Sequence, residues 1–415
     1  MSIRQALCLT LIGALAATLP PGAWATSISL DEALAAARSN LDVRIAGRNA
    51  DAARADIAAA NHAPLPQLSA KLSQIDLQNG IGPGNLLAGK RIDKGVGLDW
   101  TWERGDKRLL RTEAARHGAD AAAADLDEVR TQQLLATQAA FFDLLAAQGR
   151  REQLEAIEAS TRQTLDIARR RMNAGDAALQ DAARAEVEAE RAAADALSAQ
   201  LDVQRAQIVL AQFTGRADAA TLQASGDWPA AAPDTDGASL EARLAQRADV
   251  RAAAERVQAA EAALAGAAAL RRSDVTWGAS LDHYPGTSTR QLELRLSMPL
   301  AFGYHYDGEA ERARAQLGQA QDALEKTRAL ATNELQRLDA ERTATARRAQ
   351  RYAGEIVPRS RDVAARAELA YGKGALSLTE LLDARRTLRA VLLDALAARA
   401  DLAKASVAWR LRNGG

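Results

Sequence analysis

The segment Val275–Met298, VTWGASLDHYPGTSTRQLELRLSM, decides the fold. Val275, Trp277, Ala279 and Leu281 alternate with Thr276, Gly278, Ser280 and Asp282. Beyond Pro285-Gly286, Leu292, Leu294, Leu296 and Met298 alternate with Gln291, Glu293, Arg295 and Ser297. A period of two is that of a strand with one apolar face, so this stretch predicts a hairpin of two strands of ~10 residues.

Working outward, the chain is written twice. An earlier stretch repeats the pattern: Leu68, Ala70 and Leu72, then a phase slip before Ile75 and Leu77, then Val96, Leu98, Trp100 and Trp102 on one face. A Gly-rich loop, Asn79–Lys94, joins these two strands. Each hairpin is preceded by matching phrases, Ser29-Leu30-Asp31-Glu32 and Ser239-Leu240-Glu241-Ala242, then Asp42-Val43-Arg44 and Asp249-Val250-Arg251. Ser29 and Glu32 have the spacing of a capping box. After each hairpin a helical stretch of ~68 residues begins, near Asp106 and near Asp307, both read as N-caps. At 1.5 Å per residue it is a rod of about 100 Å. Glycine-containing breaks, Met172–Asp176 and Tyr371–Ala375, then turn each rod back as an antiparallel hairpin. Leu381, Leu388, Ala395 and Leu402 recur every seven residues, the period of a coiled-coil seam. Pro358 removes one hydrogen bond from the second rod.

The ends and the composition bound the class. Residues 1–25 read as a signal peptide: Arg4, the apolar run Ala6–Leu19, then Ala23-Trp24-Ala25 as the cleavage site. That run is shorter than the ~20 residues of a membrane-spanning helix. The sole cysteine, Cys8, lies inside it, so the expected mature chain has no disulfide or thiolate site and Cys8 is not placed for lipid attachment. The 415 residues carry 53 Lys+Arg and 53 Asp+Glu, and this balance gives no electrostatic pull toward nucleic acid. The expected organisation is a first repeat over 26–215, a linker over 216–238 and a second repeat over 239–415.

Four amphipathic strands cannot close a transmembrane barrel, which starts at about eight. Their patterning alone fits equally a soluble four-stranded sheet on helices. The signal peptide and the long rods favour the oligomeric barrel, with Trp100, Trp102, Trp277 and Tyr284 near an aromatic girdle.

The order of elements in both halves resembles the TolC family of outer-membrane efflux proteins, over Ser29 to about Arg412. The most specific local match runs from Ala370 to Arg385, with a counterpart from Arg171 to Glu186. The resemblance implies a mainly α fold with a small β part. Long antiparallel helical hairpins form a periplasmic α-barrel, and four strands per protomer enter a twelve-stranded barrel shared by a homotrimer in outer-membrane lipid. It implies two partners, a periplasmic adaptor (membrane fusion) protein and an inner-membrane efflux pump of the RND type. The phrase Trp102-Glu103-Arg104-Gly105-Asp106-Lys107-Arg108 is similar to an element of the cobalt–zinc–cadmium cation-efflux branch. A type I secretion duct shares the fold, while a non-channel periplasmic coiled-coil or adaptor protein would not need two amphipathic strand pairs.

By the same resemblance, Glu380 and Asp383 fall at the pore constriction, where rings of carboxylates attract cations. Taken singly, they read as ordinary solvated helix charges. Asp181 and Tyr371 are expected as an entrance latch, a phenol donating to a carboxylate. Asn173, Gly175, Gly372, Lys373 and Gly374 form the tip turns and the adaptor-docking surface. No catalytic or cofactor site is expected. Gly84–Lys90 has P-loop spacing, but Arg91 stands where a Ser or Thr is needed, and the segment joins strands. His62, His117, His283 and His305 show no paired metal-ligand spacing, and Met172 and Met298 make no thioether relay.

Overall fold

The computed structural model describes residues 26–75, 78, 83, 92–229, 239–284 and 288–413. The expected signal peptide, the expected Pro285-Gly286 turn and most of the expected Asn79–Lys94 loop lie outside them. Along the chain run β1 (Thr26–Ile28), α1 (Leu30–Ala37), α2 (Leu41–Ala60), β2 (Gln67–Ser73), β3 (Asp93–Trp102), α3 (Lys107–Asn173) and α4 (Leu179–Thr214). Then follow β4 (Leu222–Ala224), α5 (Leu240–Gln246), α6 (Ala248–Ala269), β5 (Val275–Tyr284), β6 (Ser288–Ser297), α7 (Asp307–Arg351), α8 (Val357–Gly372) and α9 (Leu378–Arg412).

The strands form one antiparallel sheet in the order β2-β3-β5-β6. Its register aligns the apolar positions into one face: Ala70 opposite Val96, Val96 opposite Leu281, Leu281 opposite Leu292. Leu68, Leu98, Ala279 and Leu294 make a second row, and Trp100, Trp277 and Leu296 a third. The other face is polar, with Arg295 on Asp99 at 2.9 Å, Thr101 on Thr276 at 2.9 Å and Ser280 on Asp282 at 2.6 Å. The phase slip after β2 has a backbone cause, since Gln74 sits at φ +58°. A second, parallel pair, β1 with β4, was not foreseen in the sequence; Ile28 and Leu222 bury it against Phe141 and Phe142 of α3.

The long helices lie side by side, α4 on α3, α3 on α9 and α9 on α7 and α8. In α4, Ala182, Ala185, Ala189, Ala192, Ala196, Ala199 and Val203 are buried at alternating spacings of three and four. That is a heptad seam of small residues, and it lets the antiparallel partner approach closely. The expected α9 seam is only partly inside: Leu381 is buried, while Leu388, Ala395 and Leu402 are half-buried. The reason is that α9 packs on two sides at once, against α3 and against α7 and α8.

Two expected N-caps differ. Asp106 holds the N-cap position of α3 in a left-handed conformation and makes no capping bond, whereas Asp307 is the first helical residue of α7 and Tyr306 precedes it at φ +58°. A left-handed glycine, Gly105 before α3 and Gly303 before α7, has already bent the chain in each case, and the Asp307 carboxylate pairs instead with Arg271 at 2.7 Å. Between α7 and α8 the helix widens into a π-turn, Tyr352–Ile356. Pro358 cannot donate to the carbonyl of Gly354, and its ring crowds that carbonyl, so the extra residue in the turn relieves the clash. No described helix is long and apolar enough to cross a membrane.

Candidate channel wall and helical tips

Among the described residues nothing covers the sheet's apolar face. Trp100, Trp102 and Trp277 are 62, 60 and 57% exposed, and Leu294 is 77% exposed. Trp100 stands opposite Trp277 near the end of the sheet that leads into the long helices, and Tyr284 lies at the other end of β5. Strands of 10 residues reach about 33 Å, enough for a tilted crossing of a ~25 Å apolar band. Among the described residues edges β2 and β6 have no outer partner strand, and open edges cannot face lipid.

At the far end of the rods the two turns repeat each other bond for bond. The N–H groups of Ala174, Gly175 and Asp176 donate to the carbonyls of Arg170, Met172 and Arg171. Those of Lys373, Gly374 and Ala375 donate to Leu369, Tyr371 and Ala370. Gly175 and Gly374 hold the left-handed positions at φ +82° and +74°, which a residue with a Cβ adopts only at a cost. Asn173, Gly372 and Lys373 flank these turns and are exposed.

The structure brings the two tips together. Leu165, Ala168, Ala185 and Ala189 of the first hairpin share a core with Leu378, Leu381 and Leu382 of the second. The Arg184 guanidinium donates to the Thr379 hydroxyl at 2.9 Å. Arg171 stacks 4.8 Å from the Tyr371 ring centroid. Among the described residues no hydrogen bond joins Asp181 to Tyr371; Asp181 is half-buried in the first turn of α4.

The carboxylates at the expected constriction have partners of their own. Glu380 closes a capping box: its carboxylate accepts from the Ser377 hydroxyl at 2.7 Å and the Ser377 N–H at 3.0 Å, while its own N–H donates to the Ser377 hydroxyl at 3.3 Å. The bonds from the Ser377 hydroxyl and backbone hold Glu380 below the ordinary carboxylate range. The Ser-x-x-Glu spacing that marked Ser29 also marked Ser377, and that signal was missed. Asp383 is exposed and lies 3.3 Å from Arg386, which also pairs with Glu188 of α4. Arg389 pairs with Asp195 of α4 in the same way.

A further group came together without warning from spacing alone. His117 and Asp120 of α3 meet Glu255 of α6, with one ligand atom from each inside 4.8 Å of the others. The sequence separation of 138 between His117 and Glu255 hid it.

Residues 33–216 match the family described as outer membrane efflux protein. No curated protein matches the chain. Among solved structures, the CmeC outer membrane channel of Campylobacter jejuni superposes with a TM-score of 0.80 at 16% identity, covering 93% of this chain and 85% of that one. A membrane protein from Pseudomonas aeruginosa gives 0.79 at 19% identity, with 93% of each chain covered. The open state of the MtrE outer membrane channel of Neisseria gonorrhoeae gives 0.74 at 20% identity, covering 93% and 88%. At such identities the likeness is one of fold.

Proposed function

We propose that this chain, whose residues 33–216 match the outer membrane efflux protein family, is one protomer of a trimeric exit duct that passively carries solutes out through the outer membrane. The observation that carries this reading is the four-stranded sheet, whose apolar face is uncovered and whose two edges are unpaired among the described residues. Three copies at four strands each bring β6 of one protomer beside β2 of the next, remove every edge, and turn the apolar face to lipid.

The helices support the same assembly. On α4, Val187, Ala194, Leu201 and Ile208 recur every seven residues and are all exposed, on a stripe separate from the buried alanine seam. At the other flank of the helical layer, Leu330, Val363 and Leu369 of α7 and α8 are exposed. A second copy covers such a stripe with the least change, because both helices already lie parallel to the rod. Boiled and unboiled samples from an outer-membrane fraction test this on a denaturing gel. A heat-sensitive trimer that Leu201→Asp/Ile208→Asp weakens supports it, and a monomer under all conditions refutes it.

In the trimer the tips point into the periplasm, where Asn173, Gly175, Gly372, Lys373 and Gly374 meet a periplasmic adaptor, which couples the duct to an inner-membrane pump of the RND type. Three copies of Glu380 and Asp383 line the entrance, and Arg386 offsets part of their charge. The Trp102–Arg108 phrase supports divalent metal cations as cargo, tested by whether loss of the chain sensitises cells to zinc and cadmium.

A further inference from the structure

The cluster of His117, Asp120 and Glu255 lies away from both the tips and the sheet. His117 is ten residues into α3, so at 1.5 Å per residue it sits about 15 Å beyond the sheet's end. Residues three apart share a helix face, so His117 and Asp120 present their side chains together. Glu255 faces them from α6, and its Oε2 stands 2.8 Å from His117 Nδ1.

The charges here break the pattern of the rest of the interface. One or two turns further along α3, acids face guanidinium groups of α6: Asp125 pairs with Arg256, and Asp127 with Arg251 at 3.2 Å. At His117 an acid on α3 instead meets an acid on α6. Among the described residues Glu255 pairs with His117, and neither it nor Asp120 has a Lys or Arg ion pair. Two carboxylates so close repel, and a cation between them offsets this.

We propose that His117, Asp120 and Glu255 bind a divalent transition-metal ion of the zinc type. One imidazole and two carboxylates suit zinc, which takes nitrogen and oxygen ligands at about 2.0–2.2 Å and fills a fourth position with water. Two ligands on one such ion are at most about 4.4 Å apart. The ligand atoms already lie within 4.8 Å of one another, and what remains closes by small rotations of side chains that are half-buried or exposed. The backbones that hold them are fixed, because α3 and α6 pack along their length. The ion would staple α6, which leads into β5, to α3, which leaves β3, about three helical turns from the sheet. This site is structural, and it stands independently of what solute the duct carries.

The test is isothermal titration of tag-free, chelator-stripped mature protein in detergent with zinc chloride, and separately with magnesium chloride. The expected result is one saturable zinc site per chain, at least about tenfold weaker in His117→Ala and in Asp120→Asn, with a zinc-dependent rise in melting temperature confined to the wild type. Asp120 is exposed, so its variant keeps the fold even if the histidine variant does not. Absence of saturable zinc binding, binding unchanged in both variants, or magnesium bound as tightly as zinc overturns the proposal.

Discussion

The guanidinium of Arg171 lies 4.8 Å from the centre of the Tyr371 ring, and its Nη2 reaches the Tyr371 carbonyl at 3.4 Å. One tip turn therefore grips the other through a face of a ring, not through the phenol hydroxyl. A contact of this kind at an exposed site is worth about 0.5–1 kcal/mol. Tyr371→Phe keeps the ring and should leave single-channel opening unchanged. Tyr371→Leu and Arg171→Ala should both raise open probability, by two- to fivefold on that energy. A large effect of Tyr371→Phe would instead restore the hydroxyl latch to Asp181.

Buried charge near the opposite end of α9 sets a second expectation. The Arg247 side chain is 4% exposed and bonds Asp249 and Glu334, each at 2.7 Å. Burial works against its charge, but the bonds to Asp249 and Glu334 more than reverse this and push its pKa up. Arg412 joins Glu334 at 3.1 Å and Glu128 at 2.8 Å, tying α9 to α7 and α3. Arg247→Leu leaves Asp249 without its partner and Glu334 with Arg412 alone, and should cost about 3 kcal/mol, the low end for a buried pair because both acids keep some water contact. Chemical denaturation of the detergent-solubilised protein measures it.

The pH response of the tip follows from Glu380. Its folded-state pKa lies below the ordinary value of 4.5, so the capping box contributes fully above that value. Its contribution fades as pH falls through 4.5 and on through the depressed value. Hydrogen exchange in Leu378–Leu382 should therefore quicken below pH 4.5 in the wild type. Glu380→Gln, whose amide does not ionise, should show a flat profile over the same range.

The alanine seam of α4 predicts intolerance to size. Ala185 and Ala189 are buried against Leu165, Ala168 and Leu381. Ala185→Leu inserts three extra carbons between close helices and should cost about 1–3 kcal/mol. Val187→Leu, on the exposed stripe two residues away, should cost nothing measurable in the monomer. Thermal melting of the two variants separates these cases.

Much of this architecture was legible because its periods are long and repeated. Alternation at Val275–Leu281 and Leu292–Met298 marked strands, and the duplicated order marked a matching pair around Val96–Trp102; the pairing of β3 with β5 across the two halves came only with the fold. What escaped depends on distant residues. The β1–β4 pair joins Ser27 to Gln223, and three-residue strands leave no periodic trace. Alanines in α4 read as helix propensity, because their heptad placement shows only against a partner. At the tips, the positions of Gly175 and Gly374 were readable from turn chemistry, whereas the Arg171–Tyr371 contact spans 200 residues and needed the fold.

The central claim is that three sheets close into a conducting pore, and single-channel recording in a planar bilayer addresses it most directly. Purified, folded protein should give discrete, long-lived steps of uniform size, with cation selectivity reduced in Glu380→Gln/Asp383→Asn. Folded trimers that insert yet conduct nothing, or protein that never inserts, would contradict the account.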